Sequence, residues 1–223
     1  MSIAEQILRL KHELPDGVEL LAISKYQPAD AIQEAYDAGQ RMFGENHIQE
    51  MAAKAAILPS DIEWHFTGHV QTNKIKYMAP FVSLIHAVDS FRLLREIDKH
   101  AARNNRIIDC LLQIHIAQED TKYGLTMDEC RQLLANEPWR ELQHVRIVGL
   151  MAMGSNTDDT AQVRQEFHQI KLLFEELKSC YFSDIPSFCQ ISEGMTDDYP
   201  IAIAEGSTII RIGSMIFGER LTT

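Results

Sequence analysis

Eight short apolar runs, each separated from the next by a longer amphipathic segment, recur along almost the whole of this sequence. A short run rich in Ile, Leu and Val reads as a strand buried on both faces, and a stretch with apolar residues near every 3.6 positions reads as a helix with one buried stripe. Strand and helix alternating in this way produce a parallel sheet wrapped by helices, because a parallel strand needs a crossover long enough to return the chain to the same edge. The class is α/β.

The runs place strands at 19–24, 41–43, 62–66, 84–88, 108–116, 145–150, 187–191 and 208–212. Helices are expected at 2–13, 29–38, 47–57, 71–79, 91–104, 126–136, 159–179 and 197–204, several opened by a capping or first-turn residue such as Pro28, Thr126 or Asp158. Eight strands with intervening helices point to a (β/α)8 TIM barrel, with an open doubly wound sheet as the other architecture such a series can build. No Pro/Gly/Ser-rich linker, composition shift or repeat interrupts it, so residues 1–223 are expected to form a single domain.

The formal net charge of −11 leaves no basic surplus to neutralise a phosphate backbone, which argues against nucleic acid as a partner. The first residues, MSIAEQILRLKHELP, mix charge into an amphipathic pattern, and no run approaches the ~18 apolar residues of a membrane span. The chain is therefore expected to be soluble and cytoplasmic. Cys110, Cys130, Cys180 and Cys189 show no CxxC pairing, which suits reduced thiols rather than a disulfide or zinc site.

In a barrel the reactive face is built by the loops that leave the C-terminal ends of the strands. Reading the residues after each run gives Lys25, Glu45-Asn46, Gly68-His69, Asp89-Ser90, Lys122, Met151-Ala152-Met153, Ser192-Glu193-Gly194-Met195-Thr196 and Gly213-Ser214. Lys25 follows ELLAIS directly, so its amine would rise into a partly desolvated mouth, where burial favours the nucleophilic neutral form. A solvated lysine at a strand end is the plainer alternative.

Gly213 and Ser214 follow the last run and offer close backbone approach, amide donors and a hydroxyl, and the loops after strands 7 and 8 are where barrels commonly hold phosphate. Ordinary turn chemistry would also explain them. Arg211 lies inside that last run, and an inward arginine needs an acceptor or a carboxylate opposite it. His47, His65 and His69 show no metal-ligand spacing and read as packing or hydrogen-bonding residues.

The stretches LLAISKYQP, RMFGENHIQE, IEWHFTGHVQTNK, IHAVDS, EDTKYGL, VGLMAM and ISEGMTDDYPIAIAEGSTIIRIGSMIFGER, in that order, resemble the single-domain pyridoxal phosphate-binding proteins of the YggS/PROSC type, the PLP homeostasis family. The resemblance covers nearly the whole chain. It implies a barrel like the N-terminal domain of alanine racemase, with pyridoxal 5'-phosphate carried as an internal aldimine on Lys25. It also implies Asn46 near the ring substituents, Arg211 facing the pyridine nitrogen, and Ser192, Gly194, Gly213 and Ser214 around the phosphate. A guanidinium at that nitrogen disfavours a pyridinium and weakens the ring as an electron sink.

Two stretches depart from the family's usual pattern: ISEGMT stands where LSMGMS is common, and RIGSMIFG where RIGTAIFG is common. Glu193 thereby replaces a usual Met, and a charge there would weaken phosphate binding unless the side chain turned to solvent. The resemblance implies a carrier that buffers and delivers the cofactor to PLP-dependent apo-enzymes, affecting amino-acid and keto-acid balance indirectly. The alternative is a slow racemase or lyase using Lys25 as sole base, with His69 or Tyr123 as partner; a third reading is a barrel for another phosphorylated metabolite. Lacking the racemase's second domain, the chain is expected to be a monomer.

Overall fold

Helix α1 (Ile3–Glu13) opens on a capping box, the Ser2 hydroxyl accepting from the Glu5 amide while the Glu5 carboxylate accepts from the Ser2 amide. From there, in a computed structural model that describes residues 1–117 and 123–218, strands and helices alternate. The strands are β1 (Glu19–Ile23), β2 (Met42–Glu45), β3 (Glu63–Phe66), β4 (Leu84–Val88), β5 (Ile108–Ile114), β6 (Val145–Ala152), β7 (Gln190–Ser192) and β8 (Ile209–Ile212). All neighbours pair in parallel, and β8 closes on β1 with Leu21 opposite Arg211, giving a closed eight-stranded barrel rather than an open sheet.

Between the strands run α2 (Ala29–Asp37), α3 (Ile48–Ala55), α4 (Ile75–Met78), α5 (Phe91–Arg103), α6 (Met127–Asn136), α7 (Thr160–Tyr181) and α8 (Tyr199–Ala204), and a last short helix, α9 (Ser214–Phe217), follows β8. Thr126 caps α6 through a second capping box, and α7 is capped by Asp159 rather than Asp158, its carboxylate accepting from two first-turn amides. The segment 71–79 is a 3-10 turn followed by one helical turn, and α9 occupies a stretch expected to be loop. One large apolar cluster, with a small second one of Val163, Phe167 and Ala202, fills the space between sheet and helices. No helix among the described residues is long and apolar enough to cross a membrane.

Three strand ends lie further along the chain than the apolar runs indicate, and each shift changes what a side chain faces. β2 extends to Glu45, β6 to Ala152 and β7 to Ser192. The register fixes the depth of these residues: Met151 lies beside Ser192, Ser192 beside Ile209, and Arg211 stands two residues above Ile209.

Candidate functional site at the C-terminal mouth

At the end of β1 the chain turns sharply through Ser24, Lys25, Tyr26 and Gln27, closed by the Gln27 amide on the Ser24 carbonyl at 3.0 Å. Lys25 thereby reaches a cavity of about 320 Å³ at the C-terminal ends of the strands. Asn46, Thr67, Arg211, Gly213 and Ser214 line the same cavity, with Met151, Met153 and Met195 forming its apolar part. Of the seven residues that the resemblance places around the cofactor, five meet here: Lys25, Asn46, Arg211, Gly213 and Ser214.

Each is set by its element. Asn46 follows β2, and its side-chain oxygen accepts from the Thr67 hydroxyl at 2.7 Å, which fixes the amide's orientation. Ser214 stands at the first position of α9, its hydroxyl 3.2 Å from that of Thr196, so two hydroxyls from the loops after β7 and β8 are paired at the rim. A Cβ on Gly213 would stand 3.3 Å from the Ile23 carbonyl oxygen, so a small residue is what allows the chain after β8 to pass this close to β1.

Arg211 is buried and points into the barrel. Its Nη1 donates to the Ser192 carbonyl at 2.6 Å and the Ser192 hydroxyl at 2.8 Å, and its Nη2 to the Ala152 carbonyl at 2.9 Å. Three of five N–H groups are thus used, and the other two have no partner among the described residues. Burial lowers its pKa to about 10, against the fields of Glu193 and Asp198, so it stays cationic at neutral pH. No carboxylate lies in salt-bridge contact with it among the described residues; carbonyls and a hydroxyl hold it instead.

Ser192 and Gly194 do not line the cavity. Ser192 ends β7 rather than opening a loop, so its hydroxyl is turned into the barrel, where it holds Arg211 and lies 3.0 Å from Nδ1 of His86. Gly194 has φ +87°, and a Cβ there would come within 2.7 Å of the Ala202 Cβ and 2.8 Å of the Tyr199 Cα; its carbonyl accepts from the Arg211 amide. It shapes the loop after β7 and ties that loop to β8.

Glu193 does not turn to solvent either. It is 1% exposed, its Oε1 has no hydrogen-bond partner, and burial pushes its carboxyl well above the usual range, with Arg211 pulling the other way. A buried carboxyl behind the loop, its ionised form disfavoured by burial, stands where the sequence suggested a charge beside the phosphate or a side chain turned to solvent.

A second buried feature joins His65, read in the sequence as a packing or hydrogen-bonding residue, to His86, which the sequence did not single out. His65 Nδ1 and His86 Nε2 are 3.0 Å apart, and His86 in turn meets Ser192 in β7. A bond from β4 to β7 crosses the barrel interior, so His65, His86, Ser192 and Arg211 form one polar chain through the core. Burial lowers the pKa of His65 to about 3 and holds His86 well below the imidazole range, so both are neutral. His69, by contrast, stacks on Tyr123 with ring centroids 4.4 Å apart, and neither lines the cavity. Lys122 lies outside the described residues.

A (β/α)8 barrel whose mouth gathers a lysine, an inward arginine and two hydroxyl-bearing turns defines a class of proteins that hold a small anionic ligand at the strand ends. The chain belongs to the alanine racemase, N-terminal domain family, whose sequence pattern matches residues 1–221. A relative from Aquifex aeolicus (strain VF5), named pyridoxal phosphate homeostasis protein, is 39% identical over 203 residues, covering 91% of this chain and 87% of the relative. Its counterpart of the same name in Escherichia coli (strain K12) is 37% identical over 210 residues, covering 92% and 87%. PipY of Synechococcus elongatus PCC7942, solved with PLP bound, matches at TM-score 0.88 and 37% identity, covering 97% of this chain and 100% of that one. Alanine racemase from Bartonella henselae, at 16% identity and TM-score 0.69 over 99% of this chain and 61% of that one, shares the fold.

Proposed function

We propose that this chain binds pyridoxal 5'-phosphate in the mouth cavity, joined as a Schiff base to Lys25, and serves intracellular homeostasis of that cofactor by holding and releasing it. The observation that carries the reading is the meeting, in one cavity of about 320 Å³, of Lys25 and a guanidinium with two unused donors. The charge suits the ligand: the described lining holds two cationic side chains and one acidic one, Asp197, in a chain whose net charge is −11. Ser214, Gly213 and Thr196 would hold the phosphate, Arg211 the pyridine nitrogen and Asn46 the ring substituents, while Ser192 and Gly194 act one layer away, through Arg211. The relatives' name and the PLP-bound PipY structure support the same ligand.

The bound cofactor supplies an electrophilic aldehyde and an aromatic ring. The chain's own residues would orient it, and Arg211, placed to donate to the ring nitrogen, would keep that nitrogen unprotonated, which would favour holding over turnover. On this reading residues 1–223 work as one barrel domain, a cytoplasmic monomer that delivers the cofactor to PLP-dependent apo-enzymes.

The test is the absorption spectrum of the purified chain with added pyridoxal phosphate. A visible band, lost in Lys25→Ala and fixed at Lys25 by borohydride, is expected; a chain that stays colourless overturns the reading. Exchange of amino-acid α-protons in deuterated water, dependent on Lys25, would establish the slow racemase or lyase instead.

A further inference from the structure

The residues on both sides of Lys25 are tied to one largely buried cluster of charges on β2 and α3. Lys54 of α3 spends all three ammonium protons at 2.7 Å, on the Ser24 carbonyl, Glu45 Oε1 and Glu50 Oε1. Glu45, fully buried, also accepts from the Ser24 hydroxyl at 2.7 Å. Glu50 Oε1 accepts the Tyr26 amide at 2.6 Å. Ser24 is thus held through its carbonyl and hydroxyl, and Tyr26 through its amide, with Lys25 between them.

What the cluster restrains is unusual backbone. Tyr26 has φ +64°, at the third position of the turn closed by Gln27 on Ser24, a place that glycine ordinarily fills. A tyrosine pays a penalty there that glycine does not, and the turn needs outside support. The Tyr26 side chain gives none from the core, being exposed apart from a 2.8 Å hydrogen bond between its hydroxyl and His47 Nε2. The support comes from the Glu50 carboxylate, itself held by Lys54.

We propose that Glu50 and Lys54, braced by Glu45, are positioning residues for Lys25: they hold the 24–27 turn in its left-handed form and so keep the Lys25 amine aimed into the cavity. The proposal rests on reading Lys25 as the cofactor-binding lysine. Lys54 touches no ligand in this scheme; it acts through Glu50 and Ser24.

The experiment compares the parent chain with Glu50→Ala, Glu50→Gln and the double variant Glu50→Ala/Tyr26→Gly, each checked by thermal melting. The rate at which Lys25 reacts with pyridoxal phosphate is read by absorbance and borohydride trapping. Glu50→Ala is expected to react about tenfold more slowly, which corresponds to about 1.4 kcal/mol. Glu50→Gln, which keeps the acceptor, should retain most of the rate, and glycine at position 26 should recover most of it, since it takes the left-handed form unaided. An unchanged rate in Glu50→Ala, or a double variant no faster than it, overturns the proposal. Should the parent chain not react at Lys25 at all, the cofactor reading fails and the clamp is judged by hydrogen exchange of the Tyr26 amide. Exchange at least tenfold faster in Glu50→Ala supports the clamp, and unchanged exchange overturns it.

Discussion

The Arg211 guanidinium holds Ser192 twice from one nitrogen, at the carbonyl and at the hydroxyl. Because that hydroxyl accepts from Arg211 and has His86 Nδ1 as its other neighbour, its own proton is satisfied only by donation to His86. His86 then carries its proton on Nε2 and donates to His65. Ser192→Ala leaves an arginine donor and an imidazole nitrogen buried without partners, at a cost of about 1–3 kcal/mol. Urea unfolding of the variant measures it, and a midpoint equal to the parent's would show that the chain of bonds contributes nothing.

The two buried histidines set the acid limb of stability. Their folded pKa values lie below the unfolded value near 6.5, about 3 for His65, so below pH 6.5 the unfolded chain binds protons that the folded chain refuses. Stability contributed by the neutral imidazoles is complete above pH 6.5 and falls as pH drops toward 3, by about 1.4 kcal/mol per pH unit for each. His65→Asn should flatten unfolding midpoints measured between pH 6.5 and 4.5. A slope as steep as the parent's would assign the acid loss to other groups.

Glu193 has the opposite sign. Its folded pKa is raised by burial, so above the unfolded carboxyl range the unfolded chain ionises and gains while the folded chain stays neutral, and stability falls as pH rises until the folded pKa is passed. Glu193→Met removes the orphaned carboxyl oxygen and this pH dependence together. It should raise the pH 7 unfolding free energy by about 1 kcal/mol or more. Equal stability at pH 7, or an unchanged slope between pH 5 and 8, would place the Glu193 charge elsewhere.

Lys25, Asn46, Gly213 and Ser214 were legible because a barrel turns strand-end position into site position, and each lies within two residues of a strand's end. Arg211 was legible because a charge inside an apolar strand demands an explanation. Ser192 reads in the sequence as a loop residue, and the burial of Glu193 goes unseen there, for one reason: β7 is a three-residue strand that begins at Gln190, and its register is set by β6 and β8, not by its own apolar pattern. The His65–His86–Ser192 chain joins residues 21 and 106 positions apart, and the second of these links spans the barrel interior, a contact that only barrel closure makes. Lys54 looks like any polar position on an amphipathic helix, and its burial depends on where Glu45 faces once β2 is a strand to its last residue.

Asp197 is the only acidic side chain among the described residues lining the cavity, and it opposes the anion that Lys25 and Arg211 attract. It is exposed, so its repulsion is modest and screened: a unit charge at a solvated rim acts through water, over a screening length of about 8 Å at physiological salt. Asp197→Asn should therefore tighten binding of inorganic phosphate and of pyridoxal phosphate about two- to fivefold at low salt, with the gain shrinking as salt is raised. Pyridoxal without phosphate should gain less, since the carboxylate acts on ligand charge rather than on the aldehyde. Isothermal titration of the three ligands at two salt concentrations separates these contributions. Equal gains for pyridoxal and its phosphate would mean that Asp197 shapes the cavity sterically and leaves the anion's field untouched.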